Sequence, residues 1–326
     1  MKIAINGFGR IGRAVFKIAL ERKLNVVAIN DVHGAESSAY LLKYDSIYGP
    51  YKGKINVKKN SIVVNGKKVL VLSEREPEKL PWKKLGVDIV IESTGAFTDA
   101  REAKRHLLAG AKKVVITAPA KNPDVTIVPG VNDNWLKKSH RIISVGSCTT
   151  NAAATVAKVI RDEFGILWSM LTTVHAYTND QVMQDNAHRS TRRGRAGALN
   201  IIPTTTGAAE AVLEVIPELK GRMTGLSIRV PVACGSLIDF TAEVKKKPSI
   251  NEVNKALKKA SQSHLKGIME YSSDQLVSSD VIGNLHSAVI DSLSTQVDGN
   301  LVKVLAWYDN ELGSSSRVVD VVQRLK

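Results

Sequence analysis

The chain has 326 residues, of which 44% are hydrophobic and 24% are charged, and its formal net charge is +15. This length predicts about two domains of roughly 150 residues each. No apolar run approaches the roughly 18–20 residues of a membrane span, and the N-terminus enters a strand pattern with no visible signal peptide. Two cysteines, Cys148 and Cys234, are too few for a disulfide framework and lack metal-ligand spacing, which indicates a cytoplasmic location.

Scattered lysine supplies much of the excess positive charge, as in residues 52–60 and 243–248. A basic chain can bind nucleic acid or attract small anions such as phosphates. Only 5% of the residues are aromatic, and none is interleaved with these lysines. We therefore expect a solvated lysine surface and keep nucleic-acid binding only as a secondary activity.

The first elements in chain order form a strand, a glycine loop, a helix and a second strand. Residues 2–6 (KIAIN) are apolar, and apolar residues recur at helical spacing from Ile11. A second strand, 25–31, ends in Asp31, nineteen residues after Gly12. This order is typical of a dinucleotide-binding βαβ unit.

Each part of that loop has a physical role in such a unit. Gly7 permits a tight turn, Gly9 allows the backbone to approach a pyrophosphate, and Gly12 permits close packing of helix and strand. The helix N-terminus offers N–H groups to phosphates, and Asp31 can accept hydrogen bonds from a ribose. The alternative is a glycine turn in an unrelated α/β protein.

Further apolar strands alternate with a helix in the rest of the first half. The helix has Thr98 or Asp99 as its N-cap and ends at Gly110. Continuous apolar strands of this kind predict a buried, mostly parallel sheet, with ligands at the carboxyl ends of the strands. The predicted strands are 87–95, 112–120, 125–130 and 141–147.

Cys148 stands at the junction SVGSCTTNAAATV (144–156), before a predicted helix from Asn151 to Gly165. A thiol at a helix N-terminus faces unpaired N–H groups and a positive dipole, which favour the nucleophilic thiolate. The alternative is a small residue tolerated in a turn.

The second half predicts longer strands in an antiparallel or mixed sheet. A covering helix begins near Ser249 or Asn251, a final helix spans 311–326, and residues 179–200 have no steady period. The basic cluster RSTRRGR within 179–200 is either a solvated face or a surface facing phosphate and cofactor. The predicted strands are 167–178, 225–232, 235–246, 286–297 and 300–310.

Two residues in these strands are candidates for the chemistry. His175 ends a strand pattern; a single histidine is more often structural, but a thiolate needs a base held nearby in space. Arg229 interrupts an apolar strand, where burial is costly unless an anion or carboxylate meets the guanidinium.

The whole chain resembles the phosphorylating glyceraldehyde-3-phosphate dehydrogenases, through INGFGRIGR, LLKYDS, SCTTN, TVHAYTNDQ, ALNIIPTTTGAA, PELKGRMTG, IRVP and WYDNE in that order. The resemblance implies a Rossmann-type doubly wound parallel sheet, an α+β catalytic domain with a mostly antiparallel sheet, and a homotetramer. It implies a dinucleotide-binding domain over 1–147, a catalytic domain over 148–310, and a helix over 311–326 that completes the first domain.

The resemblance also implies roles for individual residues. Cys148 is the expected nucleophile, His175 its base, and NAD the cofactor; a phosphorylated aldehyde and inorganic phosphate are the expected substrates. Residues expected to bind phosphate are Ser147, Thr149, Thr178, Arg193, Thr206, Gly207 and Arg229. Residues expected to contact the cofactor are Gly7, Gly9, Arg10, Ile11, Gly12, Asp31, Arg75, Thr117 and Asn310.

Four departures from the family pattern are visible. Ala152 replaces a second cysteine, Leu312 replaces a tryptophan, and residues 232–236 (VACGS) replace T-x-N-V-S near the family's subunit contacts. Asn186 and Ala187 stand where NAD-specific members usually have Leu-Pro, which excludes a ribose 2′-phosphate. We therefore hypothesise use of NADP as well as NAD, helped by His33 and the basic loop and opposed by the charge of Asp31.

Two other functions stay open on the sequence. An erythrose-4-phosphate dehydrogenase has similar motifs and a substrate longer by one carbon. A basic RNA-binding protein on the same fold is the second, and the intact pair of Cys148 and His175 argues against it.

Overall fold

A computed structural model describes residues 1–326. The strands are β1 (Lys2–Asn6), β2 (Asn25–Asn30), β3 (Ile55–Lys58), β4 (Ser61–Val64), β5 (Lys67–Leu72), β6 (Ile89–Glu92), β7 (Lys113–Ile116), β8 (Val125–Thr126), β9 (Ile142–Ser144), β10 (Ile166–Ala176), β11 (Ile202–Thr204), β12 (Met223–Val230), β13 (Ser236–Val244), β14 (Met269–Ser272), β15 (Ala288–Asp298) and β16 (Leu301–Tyr308). The helices are α1 (Arg10–Glu21), α2 (Gly34–Lys43), α3 (Trp82–Leu85), α4 (Ala100–Leu108), α5 (Cys148–Phe164), α6 (Ala208–Val215), α7 (Ile250–Gln262) and α8 (Leu312–Arg324).

The chain divides into two compact units. The first contains Met1–Ile127, Asn134–Gly146 and Ser315–Lys326, and the second contains Val128–Asp133 and Ser147–Ser314. The domain boundaries expected from the sequence stay a prediction. None of the helices is long and apolar enough to cross a membrane.

The first unit is built on a nine-stranded sheet in the order β3-β4-β5-β2-β1-β6-β7-β9-β8. Its strands pair in parallel except at the β3–β4 and β4–β5 hairpins. Strand β6 is buried along its whole length, as expected where helices cover both faces of a sheet. The predicted parallel sheet is confirmed, whereas the lysine-rich hairpins were not predicted as strands.

A buried polar network lies at the carboxyl end of β1 and β6. The Glu92 carboxylate accepts hydrogen bonds from Asn6 Nδ2 at 2.6 Å and from the Thr94 backbone N–H at 2.8 Å. Trp82 Nε1–H donates to His106 Nδ1 at 3.1 Å, so His106 Nε2 carries the proton that it donates to Glu92 at 3.0 Å. The network holds the loop after β6 against the end of β1.

The second unit is built on a seven-stranded mixed sheet in the order β11-β12-β10-β13-β16-β15-β14. Strands β10 and β12 are parallel, as are β14 and β15, and the other neighbours are antiparallel. Buried residues alternate with half-buried ones along β13, which indicates one covered face. Apolar residues of α5, α6 and α7 form one core with that face.

Helix ends in both units follow local signals. Asp99 caps α4 by accepting a hydrogen bond from Arg101 N–H, and Ser249 caps α7 in a capping box with Glu252. Helix α5 begins at Cys148, three residues before the predicted start at Asn151. The Ser147 hydroxyl accepts a hydrogen bond from Thr150 N–H at 3.0 Å, which moves the cap toward the N-terminus.

Candidate active site

Cys148 is the first residue of α5, next to the Ser147 cap. Its thiol therefore lies at the end of a 17-residue helix where unpaired N–H groups and the dipole favour negative charge. The Sγ atom lies 3.4 Å from Nε2 of His175. The structure thus brings together the two residues that the resemblance pairs.

The orientation of His175 follows from its second ring nitrogen. Nδ1 lies 2.7 Å from the backbone oxygen of Ala176, an acceptor, and 2.9 Å from Arg229 Nη1, a donor; the shorter contact, with the Ala176 oxygen, favours a proton on Nδ1. Nε2 of the neutral ring is therefore a lone pair directed at the Cys148 thiol. His175 pairs with Arg229 in the register of the parallel strands β10 and β12. Arg229 Nη1 donates to the same Ala176 oxygen at 3.1 Å.

Burial dominates the electrostatics of this pair. It raises the pKa of the Cys148 thiol, and the Arg229 cation opposes that rise. Burial and then the charge of Arg229 lower the pKa of His175 to about 3, and the hydrogen bond to Ala176 opposes them. Transfer of one proton from Sγ to Nε2 forms an ion pair without a change in net charge, so the two groups titrate as a unit.

Tyr308 supports the pair, and sequence reasoning missed it. Its phenol oxygen lies 2.9 Å from Thr149 Oγ1 and 2.8 Å from Thr173 Oγ1, and its ring packs edge-on against His175. Burial raises the pKa of Tyr308, which keeps it a neutral phenol. The only sequence signal was its place in WYDNE, two residues before Asn310.

The phosphate-binding candidates comprise two arginines, Arg229 and Arg193, and a set of small residues at turns and helix starts. Arg229 is half-buried beside His175, and its buried Nε atom has no hydrogen-bond partner in the structure. Arg193 is already engaged: Nη1 pairs with Asp180, and Nε donates to Thr204 Oγ1 at 3.0 Å. The charge of Arg193 contributes to lowering the pKa of His175, so Arg193 acts electrostatically on the pair of Cys148 and His175.

The remaining phosphate-binding candidates, Thr178, Thr206 and Gly207, lie at turns and at a helix start. Thr178 follows β10, and its backbone oxygen accepts a hydrogen bond from Gln181 N–H at 2.8 Å. Thr206 Oγ1 accepts from Ala208 N–H, and Gly207 caps α6 without a side-chain hydrogen bond. A β-carbon on Gly207 would meet nothing within 4 Å, so the approach to this helix start is open.

The glycine loop of the first unit has the geometry that the sequence predicted. Gly7 has a φ of +88°, and a β-carbon there would lie 2.7 Å from Thr94 N. A β-carbon on Gly12 would lie 2.0 Å from the Gly7 oxygen, whereas one on Gly9 would meet nothing within 4 Å. The loop is therefore closely packed at its two ends and open in the middle.

This open space fits the phosphates of a dinucleotide. Helix α1 has Gly9 as an N-cap with no side-chain hydrogen bond, and its first turn contains no acidic residue. Its N–H groups and dipole are thus available to an anion. The Asp31 carboxylate accepts from Phe8 N–H and from His33 N–H, each at 3.0 Å, at the carboxyl end of β2.

The other cofactor candidates lie at the same edge of the sheet or in α1. Arg75 is exposed after β5, and Thr117 follows β7. Ile11 is half-buried in the first turn of α1, and Arg10 Nη1 pairs with Asp45 at 3.0 Å. In the second unit, Asn310 is buried, and its amide oxygen accepts from Gly235 N–H and Ser236 Oγ–H.

A dinucleotide-binding sheet on the same chain as a paired thiol and imidazole is typical of nicotinamide-dependent oxidoreductases that use a cysteine. Comparison with known proteins gives the family. Residues 1–100 match the family profile described as glyceraldehyde 3-phosphate dehydrogenase, NAD binding domain, and residues 147–310 match the C-terminal domain of the same family. The chain belongs to the glyceraldehyde-3-phosphate dehydrogenase family.

Curated relatives match over nearly their full lengths. A glyceraldehyde-3-phosphate dehydrogenase of Geobacillus stearothermophilus is 54% identical over 98% of this chain and 97% of its own. Proteins with the same name from Borreliella burgdorferi and Thermotoga maritima are 52% and 53% identical, over 100% and 99% of this chain and 99% and 98% of their own.

Proposed function

We propose that this protein oxidises D-glyceraldehyde 3-phosphate to 1,3-bisphosphoglycerate with NAD and inorganic phosphate, in glycolysis and gluconeogenesis. The observation that carries the proposal is the 3.4 Å contact between Cys148 Sγ and His175 Nε2 at the start of α5. Family membership and relatives named for this activity support it. The relatives do not favour the erythrose or RNA-binding alternatives.

Cys148 acts as the nucleophile and His175 as the general base. His175 Nε2 takes the thiol proton, Sγ adds to the aldehyde carbon, and the proton passes from Nε2 to the aldehyde oxygen to give a neutral thiohemiacetal. His175 then assists loss of the hydroxyl proton as the carbon is oxidised to a thioester. Bound NAD supplies the hydride acceptor for that two-electron oxidation. Inorganic phosphate attacks the thioester carbon, and the bond to Sγ breaks to release the acyl phosphate.

Arg229 and Arg193 provide the positive charge for the two phosphates. The unpartnered Nε of Arg229 supports this role, because a buried donor without a partner gains most from an anion. Ser147, Thr149, Thr178, Thr206 and Gly207 complete the expected cradle with neutral donors.

The glycine loop and Asp31 bind the cofactor in this proposal. Use of NADP as a second cofactor stays a hypothesis: Asn186 and Ala187 are exposed and small, and His33 Nδ1 lies 2.9 Å from Asp31 Oδ1, within hydrogen-bond distance of the carboxylate. The kcat/KM values with NAD and NADP test it, and a preference for NAD beyond about a thousandfold rejects it.

We also propose a cytoplasmic homotetramer. Neither cysteine is in a disulfide, which suits a reducing compartment. Large apolar side chains are exposed on the second unit's sheet, including Trp168 (61%) and Met170 (67%) of β10 and Leu226 (46%) of β12. Such a patch marks an interaction surface. Analytical ultracentrifugation should give four subunits, and M170K should shift the protein toward smaller species; a native monomer contradicts the tetramer.

Substrate choice is tested by comparing two aldehydes with and without inorganic phosphate. Faster phosphate-dependent NADH formation from glyceraldehyde 3-phosphate than from erythrose 4-phosphate supports the proposal. A preference for the longer aldehyde, or turnover indifferent to phosphate, contradicts it.

A further inference from the structure

The hairpins formed by β3, β4 and β5 carry a concentration of positive charge that the proposed function does not use. Residues 46–73 contain six lysines and no acidic residue. Some lysines elsewhere pair with carboxylates: Lys112 Nζ lies 2.6 Å from Asp88, and Lys303 Nζ lies 2.6 Å from Asp239. The six hairpin lysines are exposed, and none of their ammonium groups forms an ion pair. They are Lys52, Lys54, Lys58, Lys59, Lys67 and Lys68.

Strand register places two of these lysines on one face of the hairpins. Ser61 of β4 pairs with Lys58 of β3 and with Leu70 of β5, and directly paired residues share a face of the sheet. Lys68 lies two residues before Leu70 on β5 and therefore points to the same face. The opposite face carries Ile62, which is fully buried. We call the face with Lys58, Ser61, Lys68 and Leu70 the lysine face.

A cavity of about 600 Å³ lies on the lysine face. This volume is in the range of small-molecule sites. Three ammonium groups line the cavity together with one amide, one hydroxyl and one apolar side chain, and no carboxylate lines it. The lining residues are Lys58, Lys59, Asn60, Ser61, Lys68 and Leu70.

The turn between β3 and β4 holds Lys59 in an unfavourable backbone conformation. Lys59 has a φ of +45°, a left-handed value that favours glycine or asparagine. The turn between β4 and β5 meets the same requirement with Asn65 and Gly66. The Ser61 hydroxyl fixes the first turn by donating to the Lys58 oxygen at 2.7 Å. A lysine is thus held at a position that disfavours its side chain, and its charge adds to the cavity.

Protection of a sheet edge does not account for this cluster. Lysine is common on edge strands because it blocks pairing with another chain. Strand β3, which carries Lys58, is such an edge, but Lys68 belongs to β5, which lies between β4 and β2. Ammonium groups on one face of a sheet repel one another when no opposite charge lies between them. An anion in the cavity removes that repulsion.

The lining of the cavity favours an anion with several phosphate groups. Each ammonium group is a point charge that donates to phosphate oxygens, so several around one space suit several linked phosphates. The one apolar lining residue is Leu70, and no aromatic ring is present on which a nucleobase could stack. The cavity therefore suits a chain of phosphates without bases.

We propose that the lysine face is a binding site for a linear oligophosphate, which is held by Lys58, Lys59 and Lys68. The site is separate from the glycine loop that follows β1. Strands β5 and β2 lie between β4 and β1, and three spacings of about 4.8 Å give about 14 Å. The site therefore lies outside the proposed function and can be filled while NAD is bound.

Titration calorimetry with inorganic tripolyphosphate tests the site, on protein saturated with NAD and in buffer free of divalent cations. The native chain should bind tripolyphosphate at least about tenfold more tightly than inorganic phosphate, because a single phosphate reaches fewer of the ammonium groups. The triple variant K58Q/K59Q/K68Q should bind tripolyphosphate at least about tenfold more weakly, since each exposed charge contact contributes about two- to threefold.

The matched control is K255Q/K259Q/K266Q, which removes three exposed lysines from α7 and the segment after it. Both triple variants lower the net charge by three, and the control should change the Kd by less than about twofold. Both replace exposed side chains, so their denaturant midpoints should match the native one.

A single substitution separates binding from stability. Asparagine suits the left-handed conformation at position 59 better than lysine does. K59N should therefore raise the denaturant midpoint, yet weaken tripolyphosphate binding by about two- to threefold. A K59N protein with native affinity overturns the role of Lys59.

Four other results overturn the proposal. They are a native chain that binds no tripolyphosphate, a Kd in K58Q/K59Q/K68Q within twofold of the native value, equal losses in the two triple variants, and competition between NAD and tripolyphosphate. Equal losses would mean that net charge alone attracts the anion, and competition would place it at the cofactor loop. An RNA duplex that binds more tightly than tripolyphosphate, with the same dependence on Lys58, Lys59 and Lys68, would overturn the oligophosphate in favour of nucleic acid.

Discussion

Replacement of His175 by asparagine should raise the pH at which Cys148 becomes reactive. In the native chain the thiolate forms beside an imidazolium whose Nε2 lies 3.4 Å from Sγ. At an effective dielectric constant of about 20, two unit charges at that distance attract by about 5 kcal/mol, which corresponds to about 3.6 pH units. Removal of the imidazolium loses that attraction, whereas the burial that raises the thiol pKa remains.

We therefore expect the midpoint for thiolate formation in H175N to rise by about 2–4 pH units. The sign follows because His175 stabilises the charged form of Cys148. At pH 7, alkylation by iodoacetamide should slow by about a hundredfold or more, since each unit of pKa removes about tenfold of the thiolate.

The assay is the second-order rate of iodoacetamide alkylation against pH, in native and H175N protein. C148S supplies the background, and Cys234 adds little because it is buried, with 1% exposure. A midpoint in H175N within half a pH unit of the native value refutes the ion-pair reasoning.

Three further predictions concern the two units separately. In E92Q, an NH2 group faces the donors that contact the Glu92 carboxylate in the native chain. The free energy of unfolding, measured with denaturant, should fall by about 3 kcal/mol, against less than about 0.5 kcal/mol for the exposed control E163Q. Equal decreases would contradict the network. G12A should unfold the first unit, because its β-carbon would lie 2.0 Å from a backbone oxygen. G9A, whose β-carbon would meet nothing within 4 Å, should fold normally and bind NAD at least about tenfold more weakly in calorimetry. Normal NAD affinity in G9A would exclude this loop from phosphate binding. Y308F removes two buried hydrogen bonds and should cost about 1–2 kcal/mol by the same unfolding measurement; an unchanged stability would mean that the threonine hydroxyls have other partners.

The sequence predicted the first unit well because its signals are local. Strand β1, the glycine loop and Asp31 lie within 31 residues, and each follows from a short apolar run or a required turn. The hairpins from β3 to β5 were missed, because scattered lysines obscure their alternation and were assigned to a solvated surface. Their strand pairing depends on contacts across the hairpin that single-residue patterns do not report.

The candidate site could be predicted only in part. Cys148 was identified from its position between a predicted strand and a predicted helix. That helix starts earlier than the alanine-rich pattern indicated, because Ser147 is its N-cap. The pairing with His175 came from family resemblance, since the packing of α5 against β10 brings the two residues together across 27 positions of the chain. Tyr308 was missed because it acts through hydrogen bonds to residues distant in the chain.

The measurement that tests the account most directly is NADH formation from glyceraldehyde 3-phosphate, with and without inorganic phosphate, in native protein and C148S. We expect phosphate-dependent turnover in the native chain and none in C148S, whose hydroxyl is a far weaker nucleophile beside the same His175. Native turnover that survives in C148S, or that does not depend on phosphate, would contradict a mechanism through a Cys148 thioester.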